Sequence, residues 1–158
     1  MTSRDGGQNR FPWPPFVFAG AGALAIALHV AWPLPWFGSP FSDFLFALGL
    51  LLGLAAVGLA ASALRALAAA RTTAGHKRAV DHLVVTGPYA LSRNPVYLAA
   101  AMLTTAAALV AGIAWFLPAV ILAGVLTQWL AIRHEERHLA ERFGKRYRDY
   151  QKRVRRWI

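Results

Sequence analysis

At 158 residues the chain is as long as one ordinary domain, yet 57% of it is hydrophobic and only 15% is charged. A soluble domain carries roughly 25% charged residues, so this composition excludes an ordinary water-soluble fold. Seventeen Lys and Arg against seven acids leave a formal charge of +10, and no cysteine is present. Because the basic residues flank apolar runs, they favour an anionic membrane surface over nucleic acid as partner. The lack of cysteine rules out disulfides, thiolate metal sites and cysteine nucleophiles.

In chain order, Met1–Arg10 is short, polar and weakly basic, and the apolar stretch after it superficially resembles a signal peptide. That stretch is long and further spans follow it, which indicates an uncleaved first span from about Phe16 to Trp36, with Trp13, Trp32 and Trp36 as interfacial aromatics. Pro33, Pro35 and Pro40 mark a nearly uncharged turn. A second span covers about Asp43 to Ala70, where Gly49, Gly53, Ala56 and Ala60 form a small-residue stripe at helical spacing that permits close helix contact. Arg71 to Asn94 reads as a polar, basic connection. Pro95 to Ile132 is then an apolar run of 38 residues. One span needs about 20 residues, so this run predicts a helical hairpin turning near Gly112. From Arg133 onward a charged helix continues out of the fourth span.

The fold class expected is therefore all-α: an integral membrane helical bundle of about four transmembrane helices with a cytoplasmic C-terminal helix. Residues 1–70 form a two-span region, and 71–158 hold the connection, the hairpin and the final helix. Basic residues gather before the first span, between spans two and three, and after span four, and the other two connections have none. By the positive-inside rule both termini are cytoplasmic and both polar segments share that face.

Two polar constellations stand out. The first is Asp81-His82-Leu83-Val84-Val85-Thr86-Gly87-Pro88-Tyr89, then Arg93-Asn94-Pro95-Val96-Tyr97. Gly87-Pro88 signals a turn, Pro95 suits the first turn of a helix, and Asn94 is placed to cap it with its side chain. The second is Arg133-His134-Glu135-Glu136-Arg137-His138-Leu139, with Phe143-Gly144, Tyr147 and Tyr150 following. Structurally these are a turn, a cap and solvated ion pairs worth little each. Functionally, two carboxylates at a membrane edge suit a cationic ligand.

In their order, and with the hairpin between them, Gly87-Pro88-Tyr89, Arg93-Asn94-Pro95, Tyr97, Glu135-Glu136, Leu139, Phe143-Gly144, Tyr147, Tyr150 and Val154 resemble the isoprenylcysteine carboxyl methyltransferase family. The related phospholipid N-methyltransferases look similar too. The resemblance covers about Asp81 to Ile158. It implies S-adenosylmethionine as cofactor, in a pocket at the cytoplasmic ends of the last two spans and the final helix. His82, Leu83 and Val84 would line it largely through backbone groups, Tyr89, Asn94 and Tyr97 would complete the wall, and Glu135 would take the polar end with Glu136 beside it. Arg93 would hold a carboxylate, a task guanidinium geometry suits. The eukaryotic carboxyl methyltransferases resemble Arg-His-Pro where this chain has Asn94, and asparagine keeps a hydrogen-bonding role but cannot titrate. No catalytic acid or base is assigned. Arg133 is a candidate to steer an anionic acceptor, with snorkelling to the interface as its plain alternative. Richness in Ala, Arg and Gly suggests a GC-rich bacterial genome. That favours an inner-membrane protein with a lipid or hydrophobic small-molecule acceptor over a prenylated protein.

Three other readings compete. His134-Glu135-Glu136-Arg137-His138 matches the H-E-x-x-H zinc signature. A catalytic zinc also needs a third protein ligand, and downstream only Glu141 and Asp149 offer one, so no metal site is assigned. Part of the first motif resembles the membrane sterol reductases, which use a nicotinamide cofactor. A non-enzymatic scaffold gripping anionic lipid would need neither Glu135 nor a nucleoside.

Overall fold

The computed structural model describes residues 13–78 and 83–158, of which 13–15 and 71–78 by backbone alone. All the regular structure among these residues is helical. α1 (Trp13–Ala31) ends short of the expected Trp36, because Pro33 and Pro35 disfavour helical backbone in the residues before them, and residues 33–38 form no regular structure. α2 (Phe41–Arg78) is longer than expected, since the segment read as a connection from Arg71 stays helical to Arg78. The Ala-rich run before Arg71 and the arginine itself are good helix formers, so charge alone does not end the helix. At 1.5 Å per residue α2 is about 57 Å long, well beyond the hydrocarbon thickness.

A 3-10 turn (Gly87–Ala90) leads into α3 (Pro95–Ala111), which stops at Gly112 in the left-handed conformation (φ 66°). That is the hairpin turn expected there. α4 (Phe116–Thr127) passes through a π-helical turn (Gln128–Ile132) into α5 (Arg133–Phe143) with no loop between them. Gly144, at φ 53°, separates α5 from α6 (Lys145–Arg153). The fourth span thus continues out as a charged helix, as anticipated, broken where a residue without Cβ allows the bend.

Two helical stretches, Phe41–Ala70 and Phe116–Phe143, are long and apolar enough to cross a bilayer, and Phe16–Ala31 and Pro95–Ala111 are shorter apolar helices. Only 11% of the most apolar window of α2 is buried, and Leu50, Leu51, Leu54 and Val57 are exposed. A helix apolar around its whole circumference with so little cover needs lipid as its solvent.

The interior is built from small side chains. α2 packs most extensively on α3, and α1 on α4. At Gly49 a Cβ would come within 2.8 Å of Val110 Cγ2 and 2.9 Å of Leu109 Cβ, and Ala56 in the same stripe is fully buried. The small-residue stripe therefore sits in the α2–α3 contact and brings the two backbones close. Ala25, Ala108, Phe116 and Ala119 form the core where α1, α3 and α4 meet. At the end away from the arginines, Trp115 Nε1 donates to Trp32 O (2.8 Å) and Trp36 lies against Gly112.

Candidate functional site

The polar constellations meet at the other end of the bundle. The chain enters through a half-buried, non-helical Leu83-Val84-Val85, and Gly87 (φ 61°) turns it into the 3-10 turn that carries Tyr89. Leu83 and Val85 line a cleft of about 240 Å³ with Arg146, Asp149 and Arg153 of α6. His82 lies outside the described residues.

Tyr97 sits in the first turn of α3 and its hydroxyl donates to Glu135 Oε1 at 2.7 Å. This bond joins the two constellations across 38 residues of sequence. Glu135 is exposed, with Tyr89 close enough to feel its charge. Burial, and secondly that charge, push the Tyr89 hydroxyl up to about 12. At neutral pH it is a neutral donor and not a base.

Glu136, the next residue, has a different environment. It is the buried residue of α5, and three guanidinium nitrogens reach it: Arg156 Nε at 3.0 Å and Nη2 at 2.6 Å, and Arg93 Nη1 at 3.1 Å. Successive helical residues point about 100° apart, which is how adjacent glutamates come to face a tyrosine on one side and two arginines on the other. The carboxylate that Arg93 holds in this structure is thus Glu136. The hydrogen bonds that Arg156 donates to Glu136 raise its guanidinium above its usual value.

The segment after α6 closes this end. Arg93 N donates to Arg155 O (3.0 Å), while Ser92 Oγ (3.1 Å) and Asn94 Nδ2 (3.2 Å) both donate to Arg156 O. Asn94 keeps the cap position expected of it, but its side chain is spent on Arg156 O and makes no cap bond. Trp157 Nε1 reaches Gln128 Oε1 in the π turn (3.1 Å). Tyr147 and Tyr150 are buried on one face of α6, and Tyr150 Oη donates to Tyr89 O (2.6 Å). Burial pushes Tyr150 up to about 12, and burial together with Glu136 raises Tyr147.

Of the residues singled out from the sequence, Tyr89, Tyr97 and Glu135 come together, and Leu83 and Val84 lie on the segment that leads to them. Arg93, Asn94 and Glu136 form a separate internal network beside that group. Arg133 is exposed with its guanidinium stacked 3.8 Å over Trp129, at the edge of the apolar helix. Sequence reasoning missed Arg156, Ser92 and the Gln128–Trp157 bond. The usable signal was Trp157-Ile158, an apolar pair following a run of basic residues, which indicates a return to the protein surface. Among the described residues no three His, Asp or Glu side chains converge as a metal site requires.

A family model for phospholipid methyltransferases matches residues 44–146, which is 103 of the 158 residues. The chain belongs to the phospholipid methyltransferase family. It is an integral membrane enzyme that uses S-adenosylmethionine to methylate a lipid-like or hydrophobic acceptor. No curated protein and no solved structure matches the chain. The matched region contains α3, the hairpin, α5 and the Tyr97–Glu135 pair. A cofactor bearing a sulfonium and an ammonium calls for a carboxylate, neutral hydroxyl groups and an apolar wall. Glu135, Tyr97 and Tyr89, with Leu83 to Val85 alongside, are of that chemistry.

Proposed function

We propose that the cofactor's cationic end is received by Glu135, with Tyr97 and Tyr89 as walls and the Leu83–Val84 backbone along its nucleoside, and that Arg133 meets an anionic acceptor at the bilayer edge. Within the family the reading closest to the motif order is the isoprenylcysteine carboxyl methyltransferase type. The acceptor favoured is a lipid or hydrophobic small molecule carrying a carboxylate or thiolate. The observation that carries this reading is the 2.7 Å bond between Tyr97 and Glu135, which draws both constellations into one site beside an exposed carboxylate.

S-adenosylmethionine, when bound, supplies an electrophilic methyl group on a positively charged sulfur. The chain's own contribution is electrostatic and geometric. Glu135 offers negative charge to the cation, and the Tyr97 hydroxyl fixes that carboxylate's direction. The tyrosines stay protonated at neutral pH, so no nearby hydroxylate serves as a base. An acceptor that is already anionic needs none, and placement within reach of the methyl suffices. An amine would have to arrive neutral.

A groove of about 320 Å³ runs along α3 and α4, lined by Ala101, Val120, Ile121, Gly124, Gln128 and Trp157 among others, and its apolar wall suits a lipid chain. The charge distribution supports a cytoplasmic position for the polar end, with residues 1–70 as a two-span support and 71–158 as the working half.

The test is calorimetric titration of S-adenosylhomocysteine into the detergent-purified protein, with zinc measured on the same sample. Saturable binding without stoichiometric zinc is expected. Glu135→Gln should weaken that binding by roughly tenfold or more, the scale of a lost charged hydrogen bond. Tight zinc with no nucleoside binding would overturn the assignment of the pocket.

A further inference from the structure

Glu136 lies on the inward face of α5, the face on which Leu139, Ala140 and Phe143 are half-buried. Glu136 is the buried residue it contributes, the helix is preceded by a π turn, and it is followed by Gly144. An amphipathic helix is ordinarily seated by an apolar stripe. Here the half-buried Leu139, Ala140 and Phe143 are joined on that face by a carboxylate gripped by the Arg156 fork at 3.0 and 2.6 Å, with Arg93 at 3.1 Å. Two-pronged charged contacts of this kind fix direction as well as distance.

Arg156 is itself anchored, and to the segment that leads into α3. Its carbonyl oxygen receives Ser92 Oγ at 3.1 Å and Asn94 Nδ2 at 3.2 Å, and the neighbouring Arg155 O receives Arg93 N at 3.0 Å. Asn94 is three residues before Tyr97. One residue thus holds the start of α3 through its backbone and α5 through its side chain. Those are the two elements whose side chains meet in the Tyr97–Glu135 bond.

We infer that Arg156 is a positioning residue for cofactor binding: by holding Glu136 inward it turns Glu135 toward Tyr97. This rests on the reading of Glu135 as the cofactor's carboxylate. In this role Arg156 acts through Glu136 and not by contact with cofactor or acceptor. Its loss acts through the aim of Glu135, and small misplacements of a binding group can cost up to about a hundredfold.

The experiment is S-adenosylhomocysteine titration of the full chain in detergent, comparing Arg156→Ala, Arg156→Lys, Glu135→Gln, the Arg156→Ala/Glu135→Gln double variant, and Lys152→Ala as an exposed charge control. Melting is recorded for each. Arg156→Ala should raise the dissociation constant on the order of tenfold. Arg156→Lys, which keeps the charge but loses the fork, should fall between it and the wild type, and Lys152→Ala should match the wild type. In the Glu135→Gln background, Arg156→Ala should add less than about twofold, because the group it aims is already neutral. A purely structural role would instead multiply the two losses, and that result would overturn the inference. So would wild-type affinity in Arg156→Ala while Glu135→Gln binds weakly. Wild-type affinity in Glu135→Gln would remove the underlying reading itself. If Arg156→Ala fails to fold, the same cycle run with Arg156→Lys decides by the same criteria.

Discussion

The two ends of this molecule are held together by different physics. In the spanning region, alanines and glycines let helices approach, and contact follows from the absence of side chain. At the polar end, almost every contact is directed: a carboxylate between two guanidinium groups, tyrosine hydroxyls on a carboxylate and a carbonyl, backbone bonds between the α3 entry and the segment after α6. A membrane supplies no hydrophobic drive between helices, so the spans depend on fit. Outside the hydrocarbon, where only short helices are available, hydrogen bonds set the geometry. Fit tolerates small rotations and directed bonds do not, and the candidate site lies in the directed half.

The largest expected effect comes from breaking the directed half at its centre. Glu136→Ala strands Arg93 and Arg156 together, and removing one partner of a buried ion pair costs about 3–5 kcal/mol. The polar end should become sensitive to limited proteolysis while the helical circular dichroism of the spans persists. Loss of the whole helical signal in one step would show that the two halves do not respond separately.

Alkali should separate them next. Tyr89 and Tyr150 are raised to about 12 from an ordinary 10, so the unfolded chain ionises first. Their contribution is complete below pH 10 and is lost as pH rises from 10 through 12. All four tyrosines belong to the polar end. Ultraviolet titration of tyrosinate should therefore lag free tyrosine, and proteolytic sensitivity should rise in that same window. A titration centred on pH 10 would contradict the burial.

Overpacking addresses the other half. Gly49→Ala would press a Cβ against Val110, Leu109 and the Ala106 carbonyl, at about 1–3 kcal/mol. Lower melting temperature in detergent with unchanged cofactor affinity is expected, and changed affinity would mean that the α2–α3 fit reaches the site. The smallest effect is expected at Gly58, where a Cβ meets nothing within 4 Å. Gly58→Ala should be neutral or stabilising by up to about 1 kcal/mol through helix propensity.

What could be read from the sequence follows the same division. The hairpin at Gly112, the turn at Gly87-Pro88 and the stripe through Gly49 were all legible, because glycine and proline act on the backbone where they stand; the break at Gly144, in a segment read as one charged helix, was not anticipated. The Tyr97–Glu135 and Glu136–Arg156 pairs were not legible from residue chemistry, since each joins distant positions and one arginine in a basic run looks like the next. Only resemblance to a family placed Tyr97 and Glu135 near one site, and it gave no hint of Arg156. Asn94 shows the intermediate case: its position was predictable from Pro95, but the direction of its side chain depended on a segment far along the chain. The overextended first span and the early end assigned to α2 were misjudgements of termination, corrected by Pro33 on one side and by the helix-forming strength of arginine on the other.

The π turn between α4 and α5 has a consequence of its own. A π turn closes its hydrogen bond one residue later than an α turn, as the Arg133 N–H does on Gln128 O. Everything after it is therefore out of phase with α4 by about one residue, or roughly 100° of rotation. The lipid-facing stripe and the carboxylate-bearing stripe obey two different clocks on one continuous rod. Deleting a single residue from Gln128–Ile132 would bring the clocks into step, and both glutamates would then point at the wrong neighbours without any functional side chain having been changed.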